Sequence, residues 1–310
     1  MKSNKSIKIF LAGHRGMVGS AIYKKLLENG YSKIITRTRK QLDLTDQRKT
    51  FKFLKLNKPE LVILAAAKVG GIIANSKFKD KFIYENLQIQ NNIIHGSYLA
   101  GIKNLYLLGS SCIYPKYCKQ PMKEDYLLSG KLEESNDAYS IAKIAGLKMC
   151  EYYSEINKVN YKSFMPPNLY GPNDNYDLHH SHFYPALIRK IHNAKVQNKN
   201  QIIIWGTGKA KRELMFVDDF AEAIIFFMKK NIKEPFINIG NGYDHSINWY
   251  AKFIMKKMKI KLKIKYDKSK PDGMPKKRLD ISLSKKYGWK PKNNLKEAFD
   301  ITYKDFLKNI

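Results

Sequence analysis

The chain has 310 residues, 44% of them hydrophobic, which is enough to bury a large core in one α/β domain or in a nucleotide-binding domain with a smaller partner. The N-terminal apolar run is too short for a signal peptide, and no apolar stretch approaches the roughly 20 residues that cross a bilayer. Three cysteines with no CxxC pair predict neither a disulfide framework nor a zinc site. We therefore expect a cytoplasmic protein that binds no membrane and no metal.

The formal net charge of +30 is the one feature that points to a polyanionic partner, because a strongly basic protein can be held on nucleic acid or anionic lipid by its field. The excess is nearly all lysine and is spread along the chain, whereas nucleic-acid readers usually cluster basic residues with stacking aromatics. The densest run, residues 256–270, is interpreted as a solvated basic strand. We therefore expect no nucleic-acid partner.

Apolar runs alternate with helical periodicity from the N-terminus onward, as in βαβ units. Strands are predicted at residues 7–12, 33–38, 61–66, 104–108 and 161–165, and helices at 17–27, 82–100 and 138–157. The next segment, Asn-Leu-Tyr-Gly-Pro at 168–172, is predicted to be a loop because it cannot continue a strand. Beyond it we expect a helix near 184–194, a strand at 201–205 and a helix near 218–230.

This alternation predicts a doubly wound α/β fold of the Rossmann type, with a parallel sheet whose ligand lies at the carboxyl ends of the strands. Residues 1–170 are expected to form mainly the dinucleotide-binding domain, with further sheet elements near 201–240. Residues 171–310 are expected to form mainly a smaller lobe that covers the substrate. No low-complexity linker separates the two parts, so the lobe is predicted to interleave with the first domain.

The turn after the first strand has a GxxGxxG spacing and opens a helix. Glycines at these places allow a tight turn, the approach of backbone N–H groups to a pyrophosphate, and close packing of the helix on the strand. The position of the turn at the start of a βαβ unit favours a dinucleotide over a plain tight turn. The predicted cofactor contacts here are Gly13, Arg15, Gly16, Met17, Val18 and Gly19.

The end of the second strand indicates which dinucleotide binds. An NAD site would place Asp or Glu there to bind the ribose 2′-hydroxyl, but this chain has Arg37 and Arg39. Either guanidinium can pair with a 2′-phosphate, and Arg15 can assist from the glycine turn. NADP(H) is therefore the predicted cofactor. The alternative is a basic, solvated strand end without a ligand.

Tyr139 and Lys143 are four residues apart in a predicted helix and therefore share one face. A neighbouring ammonium stabilises a phenolate, so this spacing predicts that Lys143 brings the pKa of Tyr139 down from about 10 toward neutrality. Ser110 follows a predicted buried strand, where its hydroxyl can hydrogen-bond the same substrate oxygen. Strand end, helix face and cofactor are predicted to meet at the top of the sheet.

Longer segments are more specific than these motifs. They are GHRGMVGSAI, AAAKVGGI, NLQIQNNII, LGSSCIYPK, QPMKEDYLLSG, YSIAKIAGLKMCE, NLYGPNDN, WGTGKAKRELMFVDD and KPDG. Across nearly the full chain they resemble the GDP-L-fucose synthase family, which belongs to the extended short-chain dehydrogenases/reductases. Members that resemble this chain take a GDP-4-keto-6-deoxymannose-type sugar, epimerise C3 and C5, and then reduce C4 with NADPH.

The resemblance implies roles for five residues. Ser110, Tyr139 and Lys143 are the reductase triad, and Cys112 and His182 are the base and the acid of epimerisation. The protons on C3 and C5 flank the 4-ketone, so a thiolate can remove one while an imidazole returns one on the other face. Without the resemblance, Cys112 would be interpreted as a buried apolar thiol and His182 as a surface histidine.

The resemblance also implies contacts with the cofactor, the substrate and a second copy of the chain. The implied contacts along the cofactor are Leu108, Gly109, Ser110, Ser111, Lys143, Pro166, Asn168, Leu169 and His182. The implied contacts around the GDP moiety are Lys190, Trp205, Arg212 and Lys277. A GDP-linked 4-keto sugar is the expected partner molecule, and a homodimer is expected through the helices near 82–100 and 138–157.

The chain departs from the pattern of this family at a few positions. Pro167 stands where such members commonly have Thr, and Lys190 stands where they commonly have Arg, which exchanges a bidentate fork for a point charge. His179 and His180 beside His182 indicate an altered wall near the sugar, and the resemblance alone selects His182 among the three. These departures leave the exact sugar open.

Two alternative functions follow from these residues. One is a C4 reductase of a related GDP-4-keto sugar, such as a 6-deoxy-heptose, in which epimerisation is reduced or lost. The other is a regulatory protein that binds a dinucleotide without catalysis. The intact Ser110, Tyr139 and Lys143 argue against the second, because such a protein has no physical need to keep a phenol and an ammonium aligned.

We expect NADPH to bind more tightly than NADH, because Arg39, with Arg37 and Arg15 nearby, is predicted to pair with the 2′-phosphate. Two charge-assisted hydrogen bonds are worth about 2–4 kcal/mol of discrimination before solvent screening. Dissociation constants of both cofactors, measured for the wild type and for Arg39→Ala, test this expectation. Equal affinities in the wild type would contradict it.

Overall fold

The computed structural model describes residues 5–178 and 180–310. The strands are β1 (Ile9–Ala12), β2 (Ile34–Ile35), β3 (Leu61–Leu64), β4 (Asn104–Leu108), β5 (Asn160–Met165), β6 (Asn168–Tyr170), β7 (Gln201–Trp205), β8 (Lys211–Arg212), β9 (Leu214–Phe216), β10 (Phe236–Asn238), β11 (His245–Ser246), β12 (Lys263–Asp267) and β13 (Lys276–Lys277).

The helices are α1 (Met17–Glu28), α2 (Gln47–Asn57), α3 (Ile72–Lys77), α4 (Lys79–Leu99), α5 (Asp137–Asn157), α6 (Phe183–Val196), α7 (Val217–Phe227), α8 (Ile247–Lys257), α9 (Ser282–Lys286) and α10 (Leu295–Lys308). Short 3₁₀ turns follow at Ser111–Ile113 and Glu124–Tyr126. Within the described ranges, no helix is both long and apolar enough to span a bilayer.

A parallel sheet of six strands, in the order β10-β5-β4-β3-β1-β2, organises the fold. Strands β1 and β3 are buried at every residue, which explains their unbroken apolar sequences. Helices cover both faces, with α1 and α7 on one side and α2, α4 and α5 on the other. The predicted doubly wound fold is confirmed. Since β2 and β3 lie on opposite sides of β1, the chain reverses across the sheet there, which is where ligands of such sheets bind.

The second lobe is built from smaller sheets around its own core. Strands β7 and β12 form a parallel pair, and β11, β8 and β13 form a three-stranded sheet. Helices α6, α8 and α10 pack over this core. The chain then returns to the first sheet through β10, which pairs with β5 inside the range 201–240 where further sheet elements were expected. The predicted domain division at residue 170 stays a prediction.

Two sequence-based predictions of local structure need correction. Strand β2 covers only Ile34–Ile35 instead of 33–38, because the Thr38 N–H is bound by the Gln41 side chain in a turn. The loop predicted at 168–172 is wrong in its first half, since Asn168–Tyr170 is a strand that pairs in parallel with Leu214–Phe216. Pro166 and Pro167 do end β5. The chain then pairs with β9, which is distant in sequence and therefore cannot be predicted from local residues.

The glycine turn between β1 and α1 depends on close backbone contacts. Gly13 has a φ of +91°, and a Cβ there would lie 2.6 Å from the Ala66 backbone nitrogen. A Cβ on Gly19 would lie only 2.0 Å from the Gly13 carbonyl oxygen. A Cβ on Gly16 would meet nothing closer than that same oxygen at 3.7 Å. Two of the three glycines are therefore required for packing, and the third leaves open space above the turn.

We expect Gly19→Ala to destabilise the protein by about 1–3 kcal/mol, because backbone atoms of the turn must move to accept the methyl group. Gly16→Ala is the matched control and should change the free energy of unfolding far less, since its methyl group enters open space. Urea denaturation of both variants measures the difference. Equal stabilities of Gly19→Ala and Gly16→Ala would show that the close contact has no energetic weight.

Candidate active site

Ser110 is held at the carboxyl end of β4 by backbone hydrogen bonds that continue beyond the strand. The Gly109 N–H donates to the Phe164 carbonyl at 2.8 Å, and the Ser111 N–H donates to the Pro166 carbonyl at 2.9 Å. The backbone on either side of Ser110 is therefore fixed against the end of β5. The serine itself is extended and starts a 3₁₀ turn, which places its hydroxyl at the upper edge of the sheet.

Tyr139 and Lys143 lie one turn apart near the start of α5, as predicted. The Lys143 Nζ donates to the Leu108 carbonyl at 2.8 Å and lies 5.7 Å from the centroid of the Tyr139 ring. Burial lowers the pKa of Lys143 to about 8. Burial raises the pKa of Tyr139, negative charge on the Cys112 sulfur raises it further, and a hydrogen bond with Ser110 opposes the rise.

The prediction that Lys143 lowers the pKa of Tyr139 is wrong for this structure. The ammonium is bonded to the Leu108 carbonyl, so desolvation of the phenol decides the direction of the shift. A phenol with a raised pKa keeps its proton at neutral pH. Tyr139 is therefore a protonated phenol in this structure and not a phenolate.

Cys112 lies in the 3₁₀ turn after β4, and its sulfur has two polar partners. The Lys277 Nζ lies 3.0 Å from Sγ, and the Asn136 side-chain amide donates to Sγ at 3.3 Å. Burial favours the neutral thiol, but the charge and hydrogen bond of Lys277, a hydrogen bond with Ser110 and the charge of Arg212 outweigh it and lower the pKa of Cys112. The sulfur therefore has the electrostatic surroundings of a base.

His182 is the residue before α6 and makes no side-chain capping bond. The Gly71 N–H donates to the His180 carbonyl at 2.8 Å, and a Cβ on Gly71 would lie 2.4 Å from the Ser181 carbonyl oxygen, so a glycine brings this segment close. The surrounding protein lowers the pKa of His182 by desolvation, and the Lys277 ammonium lowers it further. The imidazole is therefore neutral at pH 7.

The glycine turn has the shape of an anion cradle. Gly16 precedes α1 without any side-chain cap, and the space above it is open. The first N–H groups of a helix, here those of Met17 and Val18, have no intrahelical acceptor and favour an anion. The His14 Nδ1 is buried without a hydrogen-bond partner among the described residues. These features fit the pyrophosphate of a dinucleotide.

The two cations predicted to hold a 2′-phosphate are exposed beyond β2. The Arg39 guanidinium lies 3.5 Å from the Asp43 carboxylate and 3.6 Å from that of Glu85, and the Arg37 guanidinium lies 5.4 Å from the centroid of the Phe53 ring. Exposed ion pairs are worth at most about 1 kcal/mol, so a phosphate can replace these carboxylates readily. The role of both arginines stays a prediction.

The residues predicted to contact GDP fall on β7, β8, β13 and α6. The Lys190 Nζ lies 4.7 Å from the centroid of the Trp205 ring, so an ammonium covers part of one indole face. The buried Arg212 donates to the Asp272 carbonyl at 3.0 Å and is the register partner of Lys277. Their contacts with GDP stay predictions.

Asn136 was missed in the sequence. An asparagine just before a helix is typical of an N-cap, but this one makes no capping hydrogen bond and donates to Cys112 instead. The only sequence feature that could have indicated this contact is its position, a polar residue one turn before Tyr139. His179, part of the predicted histidine wall, lies outside the described residues.

The chain is similar to known proteins in both sequence and structure. Residues 9–240 match the model of the NAD dependent epimerase/dehydratase family. The chain is 46% identical to GDP-L-fucose synthase 1 of Arabidopsis thaliana, over 99% of this chain and 95% of the relative. It is 44% identical to GDP-L-fucose synthase of Escherichia coli strain K12, over 97% of each. It is also 35% identical to a GDP-mannoheptose C4 reductase from Campylobacter jejuni solved with NADP bound, with a TM-score of 0.88 over 98% of this chain and 99% of that one.

We expect Lys143→Ala to weaken NADPH binding, because its buried ammonium is fixed at the end of β4 beside the predicted path of the cofactor. Tyr139→Phe should leave that affinity unchanged, since it removes one hydroxyl and keeps the ring. Isothermal titration of both variants with NADPH measures the effect. Equal losses of affinity would argue that both changes merely disturb α5.

Proposed function

The chain belongs to the NAD dependent epimerase/dehydratase family and, within it, to the GDP-L-fucose synthases, and on this basis we propose that it epimerises and reduces a GDP-linked 4-keto-6-deoxy sugar with NADPH. The identities extend over almost the whole chain and therefore include both the sheet and the second lobe. The NADP in the Campylobacter jejuni structure and the open glycine cradle support the choice of cofactor.

The observation that carries the proposal is the position of Ser110 between two chemically different groups. Its hydroxyl accepts a hydrogen bond from the Cys112 N–H at 3.2 Å and opposes the rise that burial causes in the pKa of both Tyr139 and Cys112. A ketone oxygen bound by Ser110 and Tyr139 brings the neighbouring carbons of the sugar toward the sulfur. One binding position thus gives access to reduction at C4 and to proton transfer at the flanking carbons.

The residues proposed to hold NADPH are those of the glycine turn, with Arg37 and Arg39 at the 2′-phosphate and Lys143 near the ends of β4 and β5. NADPH supplies the hydride that reduces C4 when it is bound. Tyr139 donates its proton to the C4 oxygen. Burial raises the pKa of Tyr139, so the phenol is protonated before the reaction. Lys143 keeps a positive charge close to the reacting oxygen, and its pKa of about 8 keeps it mainly protonated at neutral pH.

Cys112 and His182 are proposed to move protons at carbon. The thiolate accepts a proton from the carbon beside the ketone, so an S–H bond forms, the C–H bond breaks and its electron pair moves into an enolate at C4. His182, first protonated from solvent, gives a proton to the opposite face of that carbon, which inverts it, and Cys112 then returns its own proton to solvent. The 4-ketone makes these protons acidic, and for that reason epimerisation must precede reduction.

A second candidate is reduction at C4 without epimerisation. Desolvation and the Lys277 ammonium both lower the pKa of His182, so its imidazole is mainly neutral and a poor proton donor. The similarity to a GDP-mannoheptose C4 reductase agrees with this candidate. The two candidates share Ser110, Tyr139 and Lys143. They differ only in whether Cys112 and His182 transfer protons at C3 and C5.

We further propose a cytoplasmic homodimer formed through α4 and α5. These two long helices pack against each other on one face of the sheet. Their outer surfaces expose large apolar side chains. These are Tyr84, Tyr98 and Leu99 on α4, and Tyr152 and Ile156 on α5. Burial of such a surface against a second copy would remove it from water.

Turnover in D₂O separates epimerisation from reduction. With NADPH and a GDP-4-keto-6-deoxy sugar, the wild type should incorporate deuterium at C3 and C5 and oxidise NADPH. Cys112→Ser should still oxidise NADPH but give product unchanged at one or both carbons, because a serine hydroxyl is a far weaker base than a thiol. Tyr139→Phe should keep the exchange and lose NADPH oxidation. NMR of the product and absorbance of NADPH measure the two processes.

Cys118→Ser makes the same chemical change at a half-buried thiol outside the site and should preserve both processes. His182→Asn should retain proton removal yet fail to complete inversion. A wild type that oxidises NADPH without deuterium incorporation would favour the plain C4 reductase. Tight NADPH binding without oxidation of NADPH by any such sugar would refute the catalytic proposal.

A further inference from the structure

Lys277 was expected to contact only the GDP moiety, but in the structure its ammonium contacts the Cys112 sulfur. The Nζ of Lys277 lies 3.0 Å from Sγ of Cys112, although the two residues are 165 positions apart in the chain. Lys277 lies on β13 and is buried, as is its register partner Arg212 on β8. A buried ammonium needs a partner of opposite charge, and a thiolate provides one.

Asn136 donates a hydrogen bond to the same sulfur and does not cap its own helix. It occupies the N-cap of α5, where asparagine side chains normally accept a hydrogen bond from the backbone. Here no such bond forms, and Nδ2 donates to Cys112 at 3.3 Å. Two donors on Sγ favour a sulfur that acts as an acceptor, which a thiolate does better than a thiol.

The charged and titratable groups that face Cys112 come from several elements. Arg212 on β8 and Lys277 on β13 contribute positive charge, and His182 before α6 stays neutral. Tyr139 on α5 keeps its proton, partly because of the charge on the sulfur. The balance around Cys112 is therefore positive.

We propose that Lys277, assisted by Asn136, is a positioning residue that holds Cys112 as a thiolate before the sugar binds. This inference rests on the proposed function for the reaction that the thiolate serves. The sulfur then accepts a proton from carbon directly, without first losing one to solvent. After the C–H bond breaks, the Lys277 side chain faces a neutral thiol.

Alkylation of Cys112 by iodoacetamide tests this inference, because the thiolate is the reacting form. The rate is followed against pH in the full-length protein, and the modified peptide is quantified by mass spectrometry. The wild type should show a midpoint below the ordinary thiol pKa of about 8.5. Lys277→Met, similar in size but uncharged, should raise that midpoint by at least about one pH unit and slow alkylation at pH 7 about tenfold. Lys277→Arg should restore a low midpoint.

The matched control is Lys276→Met on the same strand, because the Lys276 ammonium lies 3.9 Å from Asp244. It should leave the midpoint unchanged, and Asn136→Ala should raise it less than Lys277→Met does. Affinity for NADPH confirms that each variant is folded, and Lys277→Gln replaces Lys277→Met if that variant does not fold.

An unchanged midpoint in Lys277→Met, or an equal shift in Lys276→Met, would overturn the inference. The titration needs no sugar, so its failure refutes this role of Lys277 alone. Missing deuterium incorporation in the wild type refutes epimerisation instead.

Discussion

The site depends on the hydrogen bonds that continue the pairing of β4 with β5 beyond the end of β4. Gly109 and Ser111 bind the Phe164 and Pro166 carbonyls, and a Cβ on Gly109 would lie 2.2 Å from the Met165 side chain. The end of the Met165 side chain therefore occupies the space that a Cβ on residue 109 would need. The resulting fixed backbone positions the Ser110 hydroxyl, offers the Leu108 carbonyl to Lys143 and starts the turn that carries Cys112. The Ser110 hydroxyl, the Cys112 thiol and the Lys143 ammonium are therefore all held by the end of β4.

Local sequence was sufficient where local physics determines the structure. The apolar strand, glycine turn and helix at the start of the chain were predicted because strand burial, tight turning and helical periodicity are all properties of neighbouring residues. Strand β6 was missed because its partner Leu214–Phe216 lies in the other half of the chain. The contact between Lys277 and Cys112 was unpredictable for the same reason, since it joins residues 165 positions apart. Ser110, Tyr139 and Lys143 were predicted from their spacing and positions, whereas Cys112 and His182 were named only through family resemblance.

Burial acts on Cys112, Tyr139 and Lys143 alike, yet their pKa values move differently. Desolvation favours the neutral form of each group, so it raises the pKa of Tyr139 and lowers that of Lys143. Cys112 is the exception, because Lys277 reverses the effect of burial. One site thus contains a phenol that retains its proton and a thiol that releases one. Most lysines of this chain are solvated, whereas Lys143, Lys162 and Lys277 are buried.

The late return of β10 to the main sheet has a consequence for synthesis of the chain on the ribosome. Strand β5 pairs with β10 on its outer side, and β10 comprises residues 236–238. A nascent chain that has emerged only through the first five sheet strands therefore exposes the edge of β5, with its unpaired N–H and C=O groups. That edge stays open while about 70 further residues are made, which at about 5–20 residues per second lasts several seconds. During this interval the open edge of β5 can pair with a strand of another chain.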